Sequence, residues 1–227
     1  MIILSRVQLL VTILFCAWLS GAGLAVDAQG TKPGERVRVI AYDPDSPIAS
    51  RLLPKDDVVQ VNKSSFPPLI AMNANQTLDE GFDDAMLSDA IVLARGLTNG
   101  GILIDGGTWI QGKVTGSIVD VIKTTSPLDV EPGRVTFAHE NGELFLKSVR
   151  VRAGTFPVFL PESRYLLFLG HDQSIGWYLG RGFAVADNGV LTGMLQSNGE
   201  TRMRTHALYG QPLLKVLPEL KRRLHKK

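Results

Sequence analysis

From residue 90 to residue 191 the chain is cut by Gly, Asn and Pro into short apolar runs, too brief for helices and rich in Val, Ile and Leu. Residues 90–94 (AIVLA) form a compact buried run. Asn99-Gly100-Gly101 and Asp105-Gly106-Gly107 read as turns bracketing the apolar 102–104. Residues 109–123 hold the longest β-branched series, with Val114, Ile118, Val119, Val121 and Ile122. Pro132-Gly133 introduces a hairpin in which 134–139 pairs with 143–149 across Asn141-Gly142, the strongest short-range hairpin dipeptide. Residues 164–169 (RYLLFL) read as a central strand, 177–179 and 183–185 as two more, and Asn188-Gly189 as a turn into Val190-Leu191. Strands at this spacing imply a mainly β fold: a small closed or partly open antiparallel barrel, OB-like, over residues 78–201.

Helical signals lie only at its two ends. Thr77 to Glu80 spells a capping box, with Leu78, Phe82, Ala85 and Met86 following at helical spacing, so a helix is expected over 78–87. Its acidic first turns suit the positive end of the helix dipole. At the carboxyl end Leu213, Val216, Leu217, Leu220 and Leu224 share one helical face. Pro218 lacks an amide and clashes with the preceding turn, so it is expected to open a last helix over 218–225, within a basic segment 202–227. Before the barrel, residues 29–77 read as an amino-terminal strand at 36–42 followed by an arm broken by Pro44, Pro47, Pro54, Pro67 and Pro68. Val37, Val39 and Ala41 of that strand share a face, and a second β-type run occupies 58–61. The arm is too short to own a core and is expected to lie over the barrel.

Residues 1–28 read as an export signal. Arg6 is followed by an uncharged stretch, 7–26, that ends in small residues and offers cleavage after Ala25 or Ala28. The rival reading is an uncleaved anchor, because residues 7–26 reach the length needed to span a bilayer. Exported, the protein would be periplasmic or extracellular. Cys16, the only cysteine, sits in this segment, so the processed chain has neither disulfides nor thiolate metal sites. At 227 residues it buries enough core without them.

Net charge is only +2, which argues against a nucleic-acid-binding body. Six basic residues and one acidic residue give 211–227 a charge of +5, leaving −3 for 29–210. The bland reading of that tail is a solubilised helix docked by its leucines. The functional one is weak contact with an anionic membrane or cell-wall polymer.

Motifs for chemistry are sparse. Residues 107–114 (GTWIQGKV) approach a phosphate-binding loop, but Val114 stands where a Ser or Thr would hold magnesium and no helix follows. Gly180-Arg181-Gly182 begins like a dinucleotide loop and reads as a bend between strands. No nucleophile elbow, zinc helix or calcium loop is present in the sequence, and no cofactor or metal is expected. The four histidines are His139, His171, His206 and His225, none at helical ligand spacing from another. His171-Asp172, with Ser174 nearby, is the best catalytic-looking pair, although neighbours on a strand face opposite sides. Trp109, Trp177 and Tyr178 are the candidates for an aromatic contact surface. Asn62-Lys63-Ser64 and Asn75-Gln76-Thr77 match glycosylation acceptors, which matter only on a eukaryotic secretory route.

Four pieces of the chain, in order, carry a likeness: SDAIVLARGL (88–97), GSIVDVIKTT (116–125), NGELFL (141–146) and FLPESRYLLFLG (159–170). Across residues 88–193, about half of the mature chain, they resemble a broad set of exported bacterial proteins of uncharacterised function. The strand order is also similar to the netrin-type, OB-like barrel of tissue inhibitors of metalloproteinases. That resemblance implies a barrel architecture. It does not carry inhibition over, since this chain has no amino-terminal cysteine to chelate a protease zinc. The function expected is therefore a non-enzymatic binding or interaction module of the bacterial cell envelope. Its partner would be an envelope protein or polymer met through Trp109, Trp177 and Tyr178. The alternative is an envelope or extracellular hydrolase using His171 and Asp172.

Overall fold

The computed structural model describes residues 34–62, 76–129 and 131–225. The export signal, Cys16, Pro67, Pro68, the last two lysines and parts of both glycosylation tripeptides lie outside them. The elements run β1 (Val37–Ala41), β2 (Val58–Asn62), α1 (Leu78–Met86), β3 (Ala90–Ile104), β4 (Trp109–Thr124), β5 (Arg134–His139) and β6 (Gly142–Leu146). They continue with β7 (Val149–Ala153), β8 (Arg164–Asp172), β9 (Gly176–Val185), β10 (Leu191–Gly193) and α2 (Leu213–Leu224).

Five strands close into a barrel. β3 pairs with β4, β4 with β5, β3 with β8 and β8 with β9, all antiparallel. A parallel contact between β5 and β9, Ala138 opposite Tyr178, completes the ring. The barrel is small and OB-like, as the strand pattern implies. Ala90, Val92, Ala94, Leu97, Val114, Phe137, Tyr165, Leu167 and Leu169 point into it. The alternate residues Ile91, Leu93, Leu166 and Phe168 point outward into a second cluster under the helices. Both faces of β3 and β8 are thus buried there, which is why AIVLA and YLLFL are continuous rather than alternating.

α1 begins as its sequence dictates. The Thr77 hydroxyl accepts from the Glu80 amide at 3.3 Å and Glu80 accepts from the Thr77 amide at 2.7 Å. At its other end the Lys123 ammonium donates to the carbonyls of Met86 (2.9 Å) and Ser88, a charge suited to the negative helix terminus. α2 packs Leu213, Val216 and Leu220 into the same outer cluster, with Leu217 and Leu224 partly buried against it. Three of its four basic residues, Lys221, Arg222 and Arg223, are paired locally. Arg223 pairs with Asp79, Asp83 and Glu219 and lies 5.0 Å over the Phe82 ring, while Lys221 reaches Asp120 at 2.7 Å.

Several expectations need correction. α2 starts at Leu213, not at Pro218, which lies inside the helix. The proline deprives the Leu214 carbonyl of its donor, and Leu214 sits on the flank open to water, with its side chain 86% exposed. Asn99-Gly100-Gly101 is no turn but the middle of β3. The turn is at Asp105–Gly107, where all three residues have positive φ. Asn141-Gly142 is not a hairpin tip either. β5 pairs with β4, whereas β6 pairs with β7 in a different sheet, and Gly142 is absent from the positive-φ conformations a type I′ turn demands. The hairpin tip falls at Lys147-Ser148, with φ of 50° and 69°. Finally, 177–179 and 183–185 are one strand, in which Gly180 is the extra residue of a bulge opposite Phe168 and Leu169.

The amino-terminal region also does more than lie over the barrel. β1, β2 and β7 run parallel, and with β6 they build a four-stranded sheet in the order β1-β2-β7-β6. Val59, Val61, Val149 and Val151 form its core with Trp109 and Ile110 of β4. The inward residue of β1 is Ile40. The face formed by Val37, Val39 and Ala41 is exposed. Arg38 pins the loop between β1 and β2 through Asp56, at 2.6 and 2.9 Å.

Docking of α2 by its buried stripe makes a contrast within one helix. Leu220→Ala is expected to lower the unfolding free energy by about 2–5 kcal/mol, and Leu214→Ala to change it by less than about 0.5 kcal/mol, both read from urea denaturation.

Candidate functional site

Near the turn end of the β3–β4 ribbon, three strands approach one another at glycines. Gly101 of β3 lies opposite Gly112 of β4, which lies opposite His139 of β5. The absent side chains are required by contact. A Cβ on Gly112 would sit 1.8 Å from the His139 ring, one on Gly101 2.4 Å from the Glu143 carbonyl oxygen, and one on Gly142 2.7 Å from the Gly112 amide nitrogen. Glycine in a strand interior here marks close approach, not a turn. The notch lets the imidazole lie on β4 and lets the start of β6 cross the ribbon.

Beside the notch is a cavity of about 220 Å³, lined by Asn99, Gly100, His139, Glu143, Arg152, Phe156, Val158 and Ser197. His139 is only 7% exposed, its two ring nitrogens have almost no accessible surface, and the polar group near them is the backbone of Asn141, without a well-aligned hydrogen bond. Its ring stacks at 18° on Phe156, with centroids 6.3 Å apart, and leans on Phe159. Burial pushes its pKa down to about 4, with the Asn141 backbone acting the other way. The imidazole is therefore neutral at ordinary pH, carrying one N–H and one acceptor nitrogen. Glu143 and Arg152, opposed across β6 and β7, form an ion pair on the same wall. Phe156 and Ser197 hold the far side through backbone and hydroxyl hydrogen bonds of 2.8 and 3.2 Å. Asn99 donates to the Phe159 carbonyl at 3.2 Å from the exposed rim. Two further buried acceptors, Asn141 Oδ1 and Gln196 Oε1, lack donors.

The residues singled out from sequence are placed differently. Trp109 (2% exposed) and Trp177 (7%) belong to the two cores, not to a contact surface. Each indole N–H is taken by a backbone carbonyl, Glu140 at 3.2 Å and Pro127 at 2.9 Å. Both rings are large apolar bodies with one polar edge, and each edge finds its acceptor inside. Tyr178 is partly exposed, its ring laid over Gly170 on the neighbouring strand. His171 and Asp172 end β8, and they diverge. The His171 ring packs edge-on against Trp177 at 4.8 Å, while Asp172 Oδ1 accepts from the Ser174 amide (2.7 Å), the Ser174 hydroxyl and the Ile175 amide (3.3 Å). Those bonds hold the Asp172 carboxyl below its usual range, the Ser174 hydroxyl first. The carboxylate shapes a turn rather than orienting an imidazole. Among the described residues, no group of three or more His, Cys, Asp or Glu side chains is placed to hold a metal ion.

His206 makes an internal comparison. It is equally buried and its pKa is likewise pushed down to about 4, first by burial and then by Arg181. Yet its valences are met. Nδ1 accepts from the Leu208 amide at 3.1 Å, which leaves the proton on Nε2 facing Asp84 Oδ2 at 3.5 Å, and Asp84 also pairs with Arg181. That cluster fastens α1 and residues 202–210 to β9.

The chain matches no protein-family model and no curated protein.

Two outcomes follow from the notch and its histidine. Gly112→Ala must displace the ring or the strand and is expected to destabilise by about 1–3 kcal/mol, measured by urea unfolding. Both buried histidines bind protons in the unfolded chain from about pH 6.5 downward but in the native state only near 4. Their contribution is complete above pH 6.5 and is lost as pH falls toward 4, by roughly 3 kcal/mol each. Urea midpoints taken between pH 7 and pH 4 are expected to show this slope, and His139→Phe to remove about half of it.

Proposed function

We propose that this protein is a non-enzymatic binding module of the cell envelope, exported by the signal at residues 1–28, whose ligand enters the cavity beside His139. One observation carries the reading. A buried, neutral imidazole without a well-aligned hydrogen bond forms part of a cavity wall, next to an ion pair and an aromatic plate. Buried polar groups are ordinarily satisfied, and leaving one unmet costs about 1–3 kcal/mol. A ligand that draws the ring toward the cavity and supplies a partner removes that cost. The glycine notch supports the reading too, because three backbones are brought together for this ring to fit.

A hydrolase is the weaker reading. Catalysis by His171 and Asp172 would need the two to converge on a nucleophile. Instead Ser174 is bonded to Asp172 while the His171 ring packs on Trp177. His139 has no carboxylate or hydroxyl within hydrogen-bond reach to form a catalytic relay.

Nuclear magnetic resonance titration of the purified protein with a panel of small sugars, amides, carboxylates and phosphates tests the proposal. Saturable shifts are expected at Gly100, His139, Phe156 and Ser197, with no turnover of ester, peptide or glycoside substrates. Shifts confined to the β8–β9 tip around His171, or turnover lost in His171→Ala, would overturn it.

A further inference from the structure

Away from the cavity, one cross-strand row of the barrel collects positive charge. Arg134 of β5 lies opposite Ser117 of β4, Ser117 opposite Arg95 of β3, and Arg95 opposite Arg164 of β8. Their chain neighbours Val135, Ile118, Ala94 and Tyr165 belong to the barrel interior, so all four side chains point outward, and all four residues are exposed. We propose that this row is an anion site for a terminal phosphate group, free as a small ester or at the head of a lipid. Ser117 lies five residues along β4 from Gly112, about 17 Å, so the row and the cavity stand or fall separately.

Packing gives no reason for the row. Like charges directly opposite one another destabilise an antiparallel pair, and Arg95 and Arg164 are so placed. Among the described residues, neither guanidinium has an ion pair or a hydrogen bond. Asp120, opposite Leu93 on the same two strands, is taken by Lys221 at 2.7 Å. Arg134 meets Glu131 at 3.3 Å, with side chains 50% and 68% exposed, a pair that water weakens. The concentration also runs against the surrounding charge, since residues 29–210 sum to −3. Space is open beside it. Gly96 follows Arg95 and Gly133 precedes Arg134, and a Cβ on either glycine would meet nothing within 4 Å.

The donors select the class of anion. Each guanidinium is a planar fork that matches two oxygens at once. One fork fills both oxygens of a carboxylate and leaves the opposed arginine without a partner. A terminal phosphate brings three free oxygens and close to two negative charges, enough for both forks. Neighbouring strands lie about 4.8 Å apart, so the forks of Arg95 and Arg164 can converge on one such group. Ser117 lowers the surface between Arg95 and Arg134, and its hydroxyl offers a further donor there.

The test uses protein with ¹⁵N-labelled arginine, titrated at constant ionic strength with glycerol 3-phosphate, inorganic phosphate and acetate. Saturable shifts of the Arg95 and Arg164 side-chain resonances are expected with both phosphates, and acetate should bind about tenfold more weakly or less. Arg95→Gln should weaken phosphate binding about tenfold or more, the loss of charge-assisted hydrogen bonds. Its urea midpoint should be unchanged or higher, because a like-charge opposition is removed. Arg95→Lys, which keeps the charge but not the fork, should recover only part of the affinity. Flotation with phosphatidylcholine vesicles, with and without phosphatidic acid, separates the two sources. Binding that needs phosphatidic acid and is lost in Arg95→Gln identifies the lipid head, and phosphate binding without vesicle binding identifies the free ester. Acetate binding as tight as phosphate overturns the phosphate assignment. Phosphate affinity unchanged in folded Arg95→Gln, or no saturation by either phosphate at millimolar concentration together with no vesicle binding, overturns the site.

Discussion

A single ribbon, β3 paired with β4, holds two cores together. Both strands are far longer than a small barrel needs, at 15 and 16 residues. Residues 90–95 of β3 pair with β8, and residues 112–117 of β4 pair with β5, to close the barrel. The remainder continues past it, and there β4 delivers Trp109 and Ile110 into the core of the four-stranded sheet. A straight ribbon could not serve both. Irregularities at Ile91/Val92, Leu93/Ala94 and Arg95/Thr98, with Gly96 at a φ of 61°, bend it where the barrel must curl. Beyond the bend, Gly101 and Gly112 thin the ribbon so that β6 can cross it. Barrel, second sheet and cavity all depend on that bent and thinned pair.

The parts of this arrangement legible in sequence are those whose causes are local. The capping box at Thr77, the outward and inward leucines of β8, the long β-branched series of β4 and the apolar stripe of α2 each declare themselves over a few residues. What misled were glycines and a proline whose reasons lie elsewhere in the chain. Asn141-Gly142 and Asn99-Gly100-Gly101 look like turns because Gly usually serves positive φ. Here Gly101 and Gly142 serve distance, answering to Glu143 and Gly112 across the notch. The hairpin tip, by contrast, uses Lys147 and Ser148 in the left-handed region, which no dipeptide preference announces. Pro218 is tolerated where Leu214, whose carbonyl it orphans, lies 86% exposed, a matter of tertiary placement.

The site was less legible still. His139 is visible as one of four histidines, yet nothing near it in sequence says whether its nitrogens find partners. That depends on β4 supplying a bare glycine, on Phe156 supplying a plate and on residues 141, 143 and 152 coming from a second sheet. The aromatic residues that sequence favours as a contact surface have a more ordinary duty. A strand Trp between two clusters is first of all volume for a core, and the carbonyls of Glu140 and Pro127 already satisfy its edge. One signal was available: Gly101, Gly112 and Gly142 all fall within extended runs, where glycine signifies close approach of a backbone or a ligand.

His139 and His206 separate structure from function more sharply than either could alone. The two rings are buried to a similar depth and are made neutral by the same desolvation. His206 is a fastening, since an amide, a carboxylate and a guanidinium surround it. His139 fastens nothing through its nitrogens. A phenyl ring would keep its stacking on Phe156 and its contact with Gly112 while abolishing two unmet polar atoms, so stability alone argues for Phe at this position. The protein is thus under-satisfied at a place in its described interior that borders a cavity, and the proposed binding role rests on that conjunction.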